Sequence, residues 1–160
     1  MKSEAEANRA IELYADTVRR ICFMHLKNHE DVEDVFQEVF LKYILHDKIF
    51  ESDAHEKAWL IRVAINACRD MLRSPFRKRV CYIEDIEHEP FYIQENEGEL
   101  LNCILHLPPK YKNVIYLFYY EGFSAVEIAK IMHRKENTIY TWLDRARKIL
   151  KEQLGGEPLG

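Results

Sequence analysis

An apolar residue returns every third or fourth position along nearly the whole chain, and no strand-like alternation competes with it. Val32, Val35, Phe36, Val39, Phe40, Tyr43 and Ile44 form one such stripe, with acids on the opposite side. Trp59, Leu60, Val63, Ala64, Ala67, Cys68 and Met71 form a second, backed by Arg62, Asn66, Arg69 and Arg73 at i, i+4, i+7 and i+11. A further helix is predicted from near Glu4 to Lys27, and Pro75 ends the third helix, because the residue before a proline is driven out of the α region. The spacing predicts an all-α chain of two small helical bundles. Their expected ranges are residues 1–75 and 98–154, with a linker over 76–97 and a tail over 155–160.

Charge marks the same division. Glu30 to Glu38 carries five acids (Glu30, Asp31, Glu33, Asp34, Glu38) and no Lys or Arg. Arg62 to Arg79 then has six basic residues against Asp70 alone, and Val80 to Pro109 has none against seven acids. Ser124 to Leu154 is basic again, with seven Lys or Arg against four acids. Basic helices on either side of an acidic segment fit phosphate contact at two places, with the segment between them kept off DNA by repulsion. The linker loses the helical period and contains Pro90, while Tyr82, Phe91 and Tyr92 give it aromatic groups able to dock.

In the second bundle, a short helix is expected near Glu99 to His106. Another starts at Pro108–Pro109, with Val114, Ile115, Leu117 and Phe118 inward and Gly122 as its stop. Ser124 and Glu127 make a capping box. It opens a short helix whose Ala125, Ile128, Ala129 and Ile131 or Met132 face inward. After the break His133-Arg134-Lys135, a long helix begins at Glu136 or Asn137, burying Ile139, Leu143, Ala146 and Leu150. Tyr140, Thr141, Asp144, Arg145 and Lys148 then face outward. A short helix, a tight turn and a longer basic helix describe a DNA-reading helix-turn-helix, with an ordinary helical hairpin as the plainer alternative. Tyr140, Thr141, Asp144 and Arg145 suit base edges, and Arg147, Lys148 and Lys151 lie where phosphates would run.

Other classes fit less well. No apolar stretch approaches the roughly 18 residues of a membrane span, and the charged N-terminus does not read as a secretory signal, so a cytosolic protein without membrane insertion is expected. Cys22, Cys68, Cys81 and Cys103 include no C-x-x-C pair. Cys22, His25 and His29 fall on one helix face, but no fourth ligand is evident and cysteine at this spacing is commonly a small core residue. Neither a metal site nor a cofactor is assigned. No Gly-rich phosphate loop, G-x-S-x-G or H-E-x-x-H occurs, so an enzyme is not expected.

Asp31-Val-Glu-Asp-Val-Phe-Gln-Glu-Val-Phe40 and Trp59-Leu-Ile-Arg-Val-Ala-Ile-Asn-Ala-Cys-Arg-Asp70 resemble region 2 of the extracytoplasmic-function sigma factors. Leu107-Pro-Pro-Lys-Tyr111, Gly122-Phe-Ser-Ala-Val-Glu-Ile-Ala129 and Thr138-Ile-Tyr-Thr-Trp-Leu-Asp-Arg-Ala-Arg147 resemble region 4. The resemblance implies binding to core RNA polymerase, at its clamp helices and flap, and to promoter DNA. It implies that Asp34, Gln37, Glu38 and Phe40 dock on the clamp helices and that Arg62, Asn66, Arg69 and Arg73 read the −10 element. The loop from about Lys48 to His55 would capture a base flipped from the non-template strand. Thr138, Tyr140, Thr141, Asp144, Arg145, Arg147 and Lys148 would read or flank the −35 element. The resemblance also implies an anti-sigma factor, often membrane-bound, and a linker that follows the polymerase channels near the RNA exit path. Tyr140 and Trp142 replace residues that are often basic, His133 stands where glycine is common, and Trp142 is expected to be partly buried. The rival reading is a helix-turn-helix regulator that never engages core polymerase and so has no need of Asp34, Gln37, Glu38 and Phe40.

Overall fold

The computed structural model describes residues 1–74 and 98–155, so the linker with Tyr82, Phe91, Tyr92 and its acids lies outside the described residues. Seven α-helices and no strand occur among the described residues, as the periodicity requires. They fall into two compact units, one holding the helices up to Arg73 and the other those from Gly98.

The first unit contains α1 (Glu4–His25), α2 (His29–Leu45) and α3 (Asp53–Arg73), each packed on the other two. Ser3, Asn28 and Ser52 cap the three N-termini by accepting from the backbone N–H of Glu6, Asp31 and His55. Each cap satisfies an otherwise orphaned donor and stabilises its helix by about 1 kcal/mol. The core is built from Ala10, Val18 and Ile21 of α1, Val32, Val35 and Val39 of α2, and Leu60, Ile61 and Ala64 of α3. α1 ends two residues before the expected Lys27, because Leu26 turns extended and buries its side chain. Ser74 is extended immediately ahead of Pro75, which is how α3 stops.

Cys22 of α1 and Cys68 of α3 are both buried, with the two thiols close enough to act on each other. That contact, with burial, pushes the Cys68 thiol up. Cys22 thus faces the core while His29 is exposed, and no group of three His, Cys, Asp or Glu side chains gathers to hold a metal among the described residues.

The second unit contains α4 (Gly98–Leu105), α5 (Pro109–Ile115), α6 (Ala125–Met132) and α7 (Glu136–Gln153), with the other three all packed on α7. The sequence reading expects α5 to run as an ordinary helix to Gly122. Instead its last turn widens into a π-helical segment, Tyr116–Tyr120. The Tyr116 and Tyr120 rings stack there at 6.0 Å, and the Tyr116 hydroxyl donates to Glu121 Oε1 at 2.6 Å. Gly122 then reverses the chain at φ +75°, where a side chain would be strained, and Phe123 N–H closes onto the Leu117 carbonyl. The capping box forms as expected, with Glu127 N–H donating to Ser124 Oγ and Ser124 N–H donating to Glu127 Oε1. His133 takes the left-handed position at φ 53° that a glycine would occupy without strain.

Candidate functional site

On α2, Asp34, Gln37 and Glu38 are exposed along one face. Glu38 pairs with Lys42 at 3.0 Å one turn on, a solvated pair of little energetic weight. Phe40 is different. It is 4% exposed and lies against Phe36 at 4.8 Å and Tyr43 at 6.5 Å, so it supports that face from beneath and does not present itself to a partner. Two of the five acids are engaged within the molecule itself. Asp31 is buried against the Asn28 amide, and Glu33 pairs with Arg19, whose guanidinium also lies 4.0 Å over the Phe36 ring. Leu41 and Leu45, each 57% exposed, continue the line of Asp34 and Glu38. The sequence reading missed them, although apolar residues lying off the buried stripe were the available signal.

On α3, Arg69 and Arg73 are exposed, whereas Arg62 and Asn66 are half-buried. The four follow one face, as their spacing predicts. At the N-terminal end of the same helix sits a polar network that sequence reasoning did not single out. Glu56, 6% exposed, accepts from Tyr43 Oη at 2.7 Å and from Arg9 Nη1 at 3.0 Å. Arg9 also donates to Asp53 at 2.7 Å, so α1, α2 and α3 are tied at one point. Burial works against the ionised form of Glu56, but the hydrogen bonds from Tyr43 and Arg9 outweigh it and hold the carboxyl below its usual range.

The α2–α3 loop rises beside this network. Phe50 lies parallel to Tyr43 at 6.1 Å, stacks on His46 at 5.2 Å and leans on Trp59 at 5.6 Å. Glu51 N–H donates to His55 Nδ1 at 3.1 Å, which pins the loop to the first turn of α3. Burial, then the charges of Lys2 and Lys48, lower the His46 pKa. Tyr43, His46, Phe50 and Glu56 line a cleft of about 680 Å³, in the size range of ligand pockets. Ile49 stands at its edge, 94% exposed.

On α7, Ile139, Leu143, Ala146 and Leu150 are all buried, and Tyr140, Thr141, Asp144, Arg145 and Lys148 are exposed on the other side. Thr138 is half-buried. Thr141 Oγ1 donates back to the Asn137 carbonyl at 2.9 Å, and Lys148 pairs with Asp144 at 3.2 Å. Tyr140 and Arg145 make no side-chain hydrogen bond or ion pair among the described residues, so both can reach outward without breaking one. Arg147 is held differently from its expected place beside phosphates. It is half-buried, donates through Nε to Tyr119 Oη at 2.7 Å, and lies 5.5 Å from the Phe118 ring centre. Trp142 is half-buried as expected, flanked by the Lys110 and Arg134 cations at 5.5 and 5.9 Å.

In the second unit the capped α6, the turn at His133 and the long α7 with its polar outer face form a helix-turn-helix. Residues 10–79 match the family model for sigma-70 region 2, and residues 97–150 match that for sigma-70 region 4. The RNA polymerase sigma factor SigV of Bacillus subtilis is 31% identical, with 88% of this chain and 86% of SigV covered. The ECF RNA polymerase sigma factor SigW of the same organism is 27% identical, over 90% of this chain and 86% of SigW. Among solved structures, the sigma factor RpoE of Bartonella quintana, crystallised with the anti-sigma factor NepR, aligns with a TM-score of 0.72 at 22% identity, covering 92% of this chain and 96% of RpoE. CnrH, solved with the cytosolic domain of CnrY, aligns at 0.69 and 19% identity, covering 97% of this chain and 91% of CnrH. The chain belongs to the extracytoplasmic-function group of the sigma-70 family, whose members direct core RNA polymerase to promoters and are not enzymes.

Proposed function

We propose that the two units divide promoter recognition between them as follows. Residues 1–75 dock on the clamp helices through Asp34, Gln37 and Glu38 of α2, with Leu41 and Leu45 adding apolar contact and Phe40 holding the face in shape. Arg62, Asn66, Arg69 and Arg73 follow the −10 element, and the loop from about Lys48 to His55 takes up a base extruded from the non-template strand. Extrusion costs a few kcal/mol, which contacts to the displaced strand must offset. The partly exposed rings of His46 and Phe50, backed by the buried Tyr43, support this reading, since every base has a face to stack on.

Residues 98–154 read the −35 element through Tyr140, Thr141, Asp144 and Arg145, with Thr138 and Lys148 at its margins and the polymerase flap as their second partner. The observation that carries the reading is the outer face of α7. Its polar residues point away from a fully buried Ile139, Leu143, Ala146 and Leu150, on the second helix of the motif. Arg147 serves mainly to fasten α7 to the π-helical segment. An anti-sigma partner is proposed on the strength of the RpoE–NepR complex. The chain would work on the nucleoid in the cytoplasm and be held back, at the membrane where that partner is anchored there. No described helix is long and apolar enough to cross a membrane.

The test is binding of the full chain to sigma-free core polymerase and to duplex promoter DNA, separately and together. A promoter complex that needs both the chain and core supports the reading. Duplex binding without any affinity for core would instead support the core-independent regulator.

A further inference from the structure

Lys2 makes contacts that a surface lysine has no need to make. Its backbone N–H donates to the Ile44 carbonyl at 2.8 Å, and its ammonium donates to the His46 carbonyl. Both carbonyls lie at the C-terminal end of α2, where helical acceptors lack partners and a positive charge is favoured. The same ammonium lies 4.7 Å from the Tyr43 ring centre and 5.2 Å from that of Phe50. Lys2 thus touches the end of the helix through its backbone, while its ammonium touches the first residue of the loop and the aromatic residue that gives the loop its stacking surface.

We propose that Lys2 is a positioning residue for the α2–α3 loop, and that through Phe50 and His46 it sets how well the loop discriminates the base it captures. The proposal rests on the loop reading given above. Lys2 acts by holding the loop, not by touching DNA. Its ammonium is spent on a carbonyl and two ring faces that line the cleft, each a contact strengthened by partial desolvation.

The experiment uses holoenzyme assembled from core polymerase and the full chain. Its probe is single-stranded non-template DNA from a promoter selected by run-off transcription, with each −10 base replaced in turn by an abasic site. The captured base is the one whose removal weakens wild-type binding most. Lys2→Met is expected to shrink that penalty by about tenfold, from the loss of one charged hydrogen bond and two ring contacts. Lys2→Arg, which keeps the charge over the rings, is expected to retain it, and neither variant is expected to change the slope of log affinity against log salt. An unchanged abasic penalty in Lys2→Met would overturn the proposal. So would a slope shallower by about 0.7, the signature of one lost phosphate contact on a single strand. If no abasic site weakens wild-type binding, the loop reading itself fails and the role of Lys2 goes with it. Thermal unfolding that matches wild type for both variants separates these results from misfolding.

Discussion

Glu56 holds the first unit together with a charge, and charge makes that contribution depend on pH. Its folded pKa lies below the ordinary value of 4.5. The stabilisation is therefore complete above that value and is lost as pH falls through the lower folded pKa. Glu56→Gln is expected to unfold more easily than wild type by about 1–3 kcal/mol at neutral pH, through loss of charge-assisted hydrogen bonds from Tyr43 and Arg9. Denaturant titrations at descending pH check this, because the gap must close as Glu56 protonates; a gap independent of pH would remove the charge from the explanation. Glu56 was not legible in the sequence. Nothing in the pattern tells a buried, partnered glutamate from the solvated acids around it, since its partners Arg9 and Tyr43 come from other helices. His133 was legible only as the polar break where the resemblance has a glycine; that the histidine itself takes the left-handed turn needed the structure, since Leu26 and His46 end their helices extended. The contact that holds Arg147 was not legible, for the reason that hid Glu56. Spacing puts it near the outer face, but its partner Tyr119 is 28 residues away and is brought there by the widened turn that precedes Gly122.

At the scale of the helix, each functional element pairs a buried stripe with an outer face, and the two faces answer to different measurements. On α2, Phe40→Ala is expected to cost about 3–5 kcal/mol of stability, as large core truncations do. Reversing charge at Asp34 and Glu38 together is expected to leave unfolding within about 0.5 kcal/mol of wild type while weakening binding to core. Core binding that survives the double reversal would remove α2 from the docking surface. On α3, alanine at both Arg62 and Asn66 is expected to abolish open complexes on duplex promoters with core binding intact; a parallel loss of core binding would contradict the assignment. On α7, Arg145→Ala is expected to cost about 1–3 kcal/mol on the preferred −35 sequence and little on a scrambled one. Arg147→Ala should weaken both sequences alike and destabilise the second unit, and gel-shift titrations on the two duplexes separate these outcomes. The stripes were readable because burial imposes a period of 3.6 on the sequence. The π-helical segment was not, since the apolar spacing of Val114, Ile115, Leu117 and Phe118 is that of an ordinary helix and does not mark where the turn widens.

The whole chain is acidic, with a formal charge of −4, so its DNA affinity must come from where the charges lie rather than from their sum. Acids concentrate on α2 and across residues 80–109, while basic residues gather toward the end of α3 and from Lys130 through α7. That alternation, together with the order of the two motif sets, made the family legible from sequence. The seating of Lys2 on the loop and the inward turn of Phe40 needed the structure, because both depend on which helix packs against which. The central claim is that one chain docks on core polymerase and carries it to a two-element promoter. Run-off transcription with sigma-free bacterial core and a pooled promoter library, with and without the protein, tests this most directly. Transcripts that depend on the protein and share both a −10 and a −35 element are the expected result. A pool left silent while the chain binds core, or transcripts sharing no upstream element, would contradict it.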